Sequence, residues 1–183
     1  MTAERTDEEI VTLVQGGDEE SFGVLIDRFE GKIRRYARKF LSHPDNITDL
    51  VQDVFIKAYE NIQSFDTERR FSPWLYRIAH NEFVNALKKS KNHPTISFDA
   101  DTFFPHPTAP ERTEDEAVFR ELSEDLERAL DALDPKYREP LVLYYFEEMS
   151  YQEIADILHI PIATVGVRLR RGREALKKIC KHI

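Results

Sequence analysis

Apolar residues recur every three or four positions through most of the chain, with polar residues between them, which is the period of helices that bury one face. Thr6-Asp-Glu-Glu9 has capping-box spacing and leads into Ile10, Leu13 and Val14 before Gly16-Gly17 ends a short helix. Asp18 is placed to cap a longer one, where Phe22, Leu25, Ile26, Phe29, Ile33, Tyr36, Ala37 and Phe40 keep the spacing to about residue 41. His43-Pro44-Asp-Asn46 breaks the chain. Leu50, Val51, Val54, Phe55, Ala58, Tyr59 and Ile62 then form a stripe, while Asp49, Gln52 and Asp53 lie together on a different face. Ser72-Pro73 reads as the cap and first residue of a helix running through Trp74, Leu75, Ile78, Ala79, Phe83 and Leu87, with Arg77, His80, Asn81, Asn85, Lys88 and Lys89 on a polar exterior.

The pattern lapses between Asn92 and Arg112, where Pro94, Pro105, Pro107 and Pro110 interrupt any period. Residues 92–112 therefore read as a flexible linker between two domains, 1–91 and 113–183. Thr113-Glu-Asp-Glu116 opens an acidic helix carrying Ala117, Val118, Leu122, Leu126, Ala129, Leu130 and Leu133, and Pro135 starts another through Leu141, Val142 and Tyr145. A second capping box, Ser150-Tyr-Gln-Glu153, opens a short helix with Ile154, Ile157 and Leu158 inward and small Ala155 at the crossing; it stops at His159-Ile-Pro161. In the next helix Ile162, Val165, Leu169, Gly172, Leu176 and Ile179 make one stripe, and Arg168, Arg170, Arg171, Arg173, Lys177 and Lys178 occupy the other faces. This is the layout of a helix-turn-helix offering cations to DNA. The expected fold is all-α, two small helical domains joined by the proline-containing linker, with no strand pair or internal repeat.

Charge sharpens this picture. The net charge of −8 hides alternating blocks, −7 over residues 1–30, +5 over 31–91, −9 over 92–134 and +3 over 135–183. Two separated basic blocks suit two contacts with one polyanion, and the acidic blocks discourage indiscriminate binding. Cys180 is the sole cysteine, so no internal disulfide forms, and the absence of a signal peptide or long uncharged apolar run implies a cytoplasmic protein without membrane insertion. An enzyme is not indicated. His43, His80, His93, His106, His159 and His182 are scattered, without HExxH, paired cysteines or a glycine-rich phosphate loop, so neither a metal nor another cofactor is expected.

Four motifs, in order, carry a resemblance to the extracytoplasmic-function group of bacterial RNA polymerase sigma factors. Asp49-Leu-Val-Gln-Asp-Val-Phe55 with Ile56-Lys-Ala-Tyr59 resembles the helix that docks on the polymerase clamp, and Phe71-Ser-Pro-Trp-Leu-Tyr-Arg-Ile-Ala79 resembles the melting and minus-ten helix. Leu133-Asp-Pro-Lys-Tyr-Arg138 with Ser150 to Leu158 resembles the start of the fourth conserved region, and Thr164-Val165 with Arg168 and Arg171-Gly-Arg173 resembles its minus-thirty-five reader. The likeness implies a factor that binds core RNA polymerase through Asp49, Gln52 and Asp53 and reads minus-ten DNA with Phe65, Arg69, Arg70, Trp74, Arg77, Asn81, Lys88 and Lys89. It implies minus-thirty-five contacts from Thr164, Arg168, Arg170, Arg171 and Arg173.

Phe65 and Asn81 are the candidates for a pocket that receives an unstacked base, and the arginines and lysines of that set suit phosphates. Trp74 fits either a core anchor or the edge of the melted region. An anti-sigma factor or other regulatory partner is also implied. The chain departs from the family pattern at Gly166 and Val167, where basic and small hydroxyl residues are usual, and at His159, a turn position often held by glycine. The rival reading is a conventional helix-turn-helix regulator that binds DNA without core polymerase and uses residues 1–90 for sensing or dimerisation.

Overall fold

The computed structural model describes residues 5–41, 47–91 and 126–180, and all regular structure among them is helical. The N-terminal part holds α1 (Asp7–Gln15), α2 (Phe22–Phe40), α3 (Ile47–Asn61) and α4 (Phe71–Lys91), with short 3₁₀ turns at Glu19–Ser21 and Ile62–Ser64. The C-terminal part holds a helical stretch at 126–131, then α5 (Pro135–Tyr145), α6 (Tyr151–Leu158) and α7 (Ile162–Ile179). The linker read at 92–112, the helix start at Thr113 and the break at His43–Asn46 lie outside the described residues.

Both capping boxes form as read. The Thr6 hydroxyl accepts from the Glu9 amide while the Glu9 carboxylate accepts from the Thr6 amide, and Ser150 and Glu153 repeat the arrangement. Asp18 caps the 3₁₀ turn that leads into α2. Asp134 caps α5 and Pro135 stands in its first turn, where a missing N–H costs nothing. His159 ends α6 in the left-handed region at φ 53°, ψ 44°, without glycine.

The start of α4 corrects the sequence reading. Ser72 is not the cap: the helix begins at Phe71, whose amide donates to Glu8 Oε1 at 2.8 Å. The cap thus comes from α1, and Pro73 is accommodated inside the first turn because that turn has no intrahelical use for its N–H.

Aromatic rings fill the N-terminal core. Tyr36, Phe71, Tyr76 and Phe83 are fully buried, Phe29 meets Phe71 edge-on at 5.5 Å, and Tyr36 meets Tyr76 at 5.1 Å. Gln15 ties the layer together by donating to the carbonyls of Ile62 and Phe65 at 2.7 and 2.9 Å, which holds the segment preceding α4 in place. In the C-terminal part α7 crosses α5 at Gly172, where a Cβ would stand 2.9 Å from Leu141 Cδ1, so the backbones approach closely only because glycine is there. Val165 and Leu169 continue the buried stripe against Leu141, Leu143, Ile154 and Ile157.

Candidate nucleic-acid interface

The N-terminal end of α4 and the loop before it form one side of an aromatic and cationic cleft of about 570 Å³, whose other side is Glu153, Asp156 and Ile157 of α6. Phe65, Phe71 and Trp74 pack on one another with ring centroids 5.1 to 5.7 Å apart, so the Phe65 ring is a buried floor, only 6 % exposed. Trp74 is half-buried and does both things weighed for it: it anchors this cluster and lines the cleft. Arg69, Arg70 and Arg77 stand around the opening with exposed side chains. Asn81 follows Arg77 by one turn, and Lys88 and Lys89 lie exposed further along α4. An aromatic floor with guanidinium groups beside it can stack a base and neutralise its phosphates.

The second basic helix is not uniform. Thr164, Arg168 and Arg171 follow at i, i+4 and i+7, so they share one flank of α7. Arg170 and Arg173 lie on the other flank, where Arg170 pairs with Glu174 at 3.3 Å and Arg173 donates to the Tyr145 hydroxyl at 3.2 Å. The structure therefore brings three of the five sequence-predicted residues together and separates two. Beside Arg173 runs an apolar groove of about 430 Å³ lined by Leu126, Leu130, Leu141, Tyr145, Phe146 and Leu176, which the sequence reading did not single out. Its signal was present in Tyr145 and Phe146, two adjacent aromatics at a helix end where both cannot face inward; each is more than half exposed.

On α3, Asp49, Gln52 and Asp53 are all exposed on the side opposite the buried Val51, Val54, Phe55 and Ala58. Ile56, one turn on from Gln52 and Asp53, is also exposed and gives that face an apolar centre.

The two parts of the molecule meet along two seams. In one, Glu139 of α5 accepts from the Tyr36 hydroxyl of α2 and lies 2.7 Å from His80 Nδ1 of α4. Arg138 donates to the Lys39 carbonyl at 2.7 Å, and Lys39 pairs with Asp131 at 3.0 Å. His80, expected on a polar exterior, is only 12 % exposed because α5 covers it. Burial, then the Glu139 charge, pushes the Tyr36 hydroxyl well above its ordinary pKa. In the other seam α6 lies on α4: Glu153 pairs with Arg70 at 3.1 Å, and His159 Nε2 is 3.2 Å from Asn81 Oδ1. An exposed pair such as Arg70–Glu153 contributes about 0–1 kcal/mol, so the pair itself adds little to this seam.

A helical domain with an aromatic cleft flanked by arginines, joined to a helix-turn-helix, gives the protein two separate basic surfaces. Family models identify the halves. Sigma-70 region 2 matches residues 25–93 and sigma-70 region 4 matches residues 123–176. The chain is 39 % identical over 173 residues to the ECF RNA polymerase sigma factor SigW of Bacillus subtilis, covering 90 % of this chain and 91 % of that one. It is 33 % identical over 184 residues to the ECF RNA polymerase sigma-E factor of Escherichia coli K12, covering 96 % and 95 %. Among solved structures, the sigma factor RpoE of Bartonella quintana, in complex with the anti-sigma factor NepR, superposes with a TM-score of 0.71 at 25 % identity, over 88 % of this chain and 98 % of that one. CnrH, solved with the cytosolic domain of CnrY, gives 0.68 at 25 % identity over 97 % and 99 %.

The chain belongs to the extracytoplasmic-function RNA polymerase sigma factors. It is a non-enzymatic transcription initiation factor that acts with core RNA polymerase at specific promoters. A region 2 match over the N-terminal half disfavours a conventional regulator, which would have used that half for sensing or dimerisation. No helix among the described residues is long and apolar enough to cross a membrane.

Proposed function

We propose that the two surfaces divide promoter reading between them as the sequence pattern implied. Phe65, Arg69, Arg70, Trp74, Arg77, Asn81, Lys88 and Lys89 take the minus-ten strand, and Thr164, Arg168, Arg170, Arg171 and Arg173 take minus-thirty-five duplex. The observation that carries this reading is the cleft in which Arg69, Arg70 and Arg77 surround a Phe65–Trp74 floor. Extruding a base costs a few kcal/mol, and a stacking platform with adjacent cations offsets that cost without covalent chemistry. Phe65 supports the ring that meets the base, and Asn81 supplies an amide able to hydrogen-bond its edge.

Asp49, Gln52 and Asp53 of α3 dock on core polymerase, where acidic and amide groups suit a basic partner surface. Residues 1–91 act as the polymerase-docking and minus-ten domain, 92–112 as the linker and 113–183 as the minus-thirty-five domain. The site of action is the cytoplasm, where core polymerase and promoter meet. An anti-sigma factor restrains the protein; RpoE and CnrH, solved with the anti-sigma factor NepR and with the cytosolic domain of CnrY, support this by likeness.

Run-off transcription of a promoter library by bacterial core polymerase, with start sites sequenced, tests the reading. Transcripts sharing two spaced motifs appear only when the protein is added, and Trp74→Ala or Arg77→Ala removes the minus-ten preference while leaving core binding intact. Tight duplex binding without core, and no stimulation with it, would overturn it.

A further inference from the structure

The first turns of α7 present a surface without charge. From Ile162 to Val167 the helix carries no acid or base, and Thr164 holds the single polar side chain; the first cation is Arg168. Val165 and Leu169 are fully buried in the core of the C-terminal part. Val167 is two residues from each, so it points away from that core, and it is 43 % exposed. Ala163, one turn before it, is exposed on the same side. Gly166 adds no side chain, and a Cβ there would meet only the Tyr151 ring of α6. Thr164 precedes Val167 by three residues and Arg171 follows it by four, so the valine stands between a hydroxyl and a guanidinium on the outward face. Gly166 and Val167 are also two of the positions at which the chain departs from the family pattern.

A helix-turn-helix sets the N-terminal residues of its second helix against base edges in the major groove. A valine there makes no hydrogen bond, so it leaves the polar groups of a purine edge, or the amino group of cytosine, without a partner. Among the four DNA bases only thymine carries an apolar group on that edge, its C5 methyl. Resting on the minus-thirty-five assignment above, we propose that Val167, with Ala163 behind it, reads the C5 methyl of a thymine in the minus-thirty-five element, at the step beside the base that Arg171 contacts. Specificity at this step comes from both sides of the exchange: the thymine methyl leaves water against the isopropyl group, and every other base loses a hydrogen bond to water that the helix does not replace.

The test removes that methyl and nothing else. The probe is the strongest promoter duplex recovered in the run-off selection, and the binding species is holoenzyme, the full chain on bacterial core polymerase. Each thymine of the minus-thirty-five element is replaced in turn by uracil, which keeps every hydrogen-bonding group of the base. In competition with the unmodified duplex, one replacement is expected to weaken binding about fourfold, the worth of one buried methyl group. Val167→Ser exchanges the apolar tip for a hydroxyl at an exposed site while Val165 and Leu169 keep α7 seated. Holoenzyme carrying this variant is expected to bind the thymine and uracil duplexes equally.

A selected element with no fixed thymine, equal binding of thymine and uracil duplexes by the parent chain at every position, or a uracil effect that persists undiminished in Val167→Ser would overturn the proposal. Arg168→Ala and Arg171→Ala in the same assay keep the underlying assignment separate. If they weaken binding while uracil costs nothing, the thymine reading alone has failed; if neither they nor uracil changes binding, α7 does not read the minus-thirty-five element at all.

Discussion

Gly166 and Gly172 lie on the same helix and do opposite work. A Cβ on Gly166 would meet only Tyr151 Cε2 at 3.6 Å, an ordinary contact, and its backbone is helical. Gly166→Ala is therefore expected to stabilise α7 by about 1 kcal/mol, the propensity difference between the two residues, which raises the melting temperature by roughly 2–4 °C in a chain of this size. At Gly172 the same methyl would stand 2.9 Å from Leu141 Cδ1 and 3.3 Å from the Tyr137 carbonyl oxygen. Leu141 can shift but the carbonyl cannot move without α5, so Gly172→Ala should lose about 1–3 kcal/mol despite its better propensity. Thermal unfolding followed by circular dichroism reads both signs. A gain at Gly172 would mean that α5 and α7 do not cross at that glycine.

At the scale of the helix, the flanks of α7 divide its arginines into those that face outward unpaired and those that must exchange a partner within the chain to meet DNA. Arg168 and Arg171 share the flank of Thr164, whereas Arg170 and Arg173 are engaged by Glu174 and Tyr145. Arg168→Ala and Arg171→Ala are each expected to weaken holoenzyme binding to a minus-thirty-five duplex by about 1–3 kcal/mol if they reach base edges. Arg170→Ala should cost less and mainly change the salt dependence. Competition binding at two salt concentrations separates these effects, and equal losses for all three would refute the division. Such faces were legible in the sequence because a stripe and its cap are local: Thr6–Glu9, Ser150–Glu153 and the Val165–Leu169–Gly172 row needed only their own neighbours. The α4 cap was not, because Glu8 reaches Phe71 from 63 residues away. For the same reason the sequence placed His80 on a polar exterior, since nothing in the period of α4 announces that Glu139 of another domain will cover it. Among the candidate site residues, side-chain type and face were readable, but their occupation by α6 depended on how the two domains pack.

Glu147 makes that packing sensitive to acid. It follows α5, yet the groups around it belong to the other domain: Tyr76 from α4, and Lys32 and Arg35 from α2. Loss of solvent raises its pKa above the ordinary 4.5, and the neighbouring Tyr76 hydroxyl and the two cations only partly counter this. The Tyr76 hydroxyl is itself fully buried without a well-aligned partner, and burial together with the Glu147 charge drives its pKa far upward. Parting the domains returns Glu147 to water, so its pKa is higher closed than open. The closed form then binds the proton more tightly: closure is fully favoured below the open-state value and loses that contribution as pH rises through the raised one. At neutral pH an ionised, partly desolvated Glu147 opposes closure. Glu147→Gln removes that opposition while keeping a similar shape. Energy transfer between the domains should therefore be higher in the variant than in the parent at pH 7, and the two curves should converge as pH falls toward 4.5. Parallel curves would show that Glu147 keeps the same surroundings open and closed. A more open variant at pH 7 would show that the ionised carboxylate, held by Lys32 and Arg35, is a clasp between the domains.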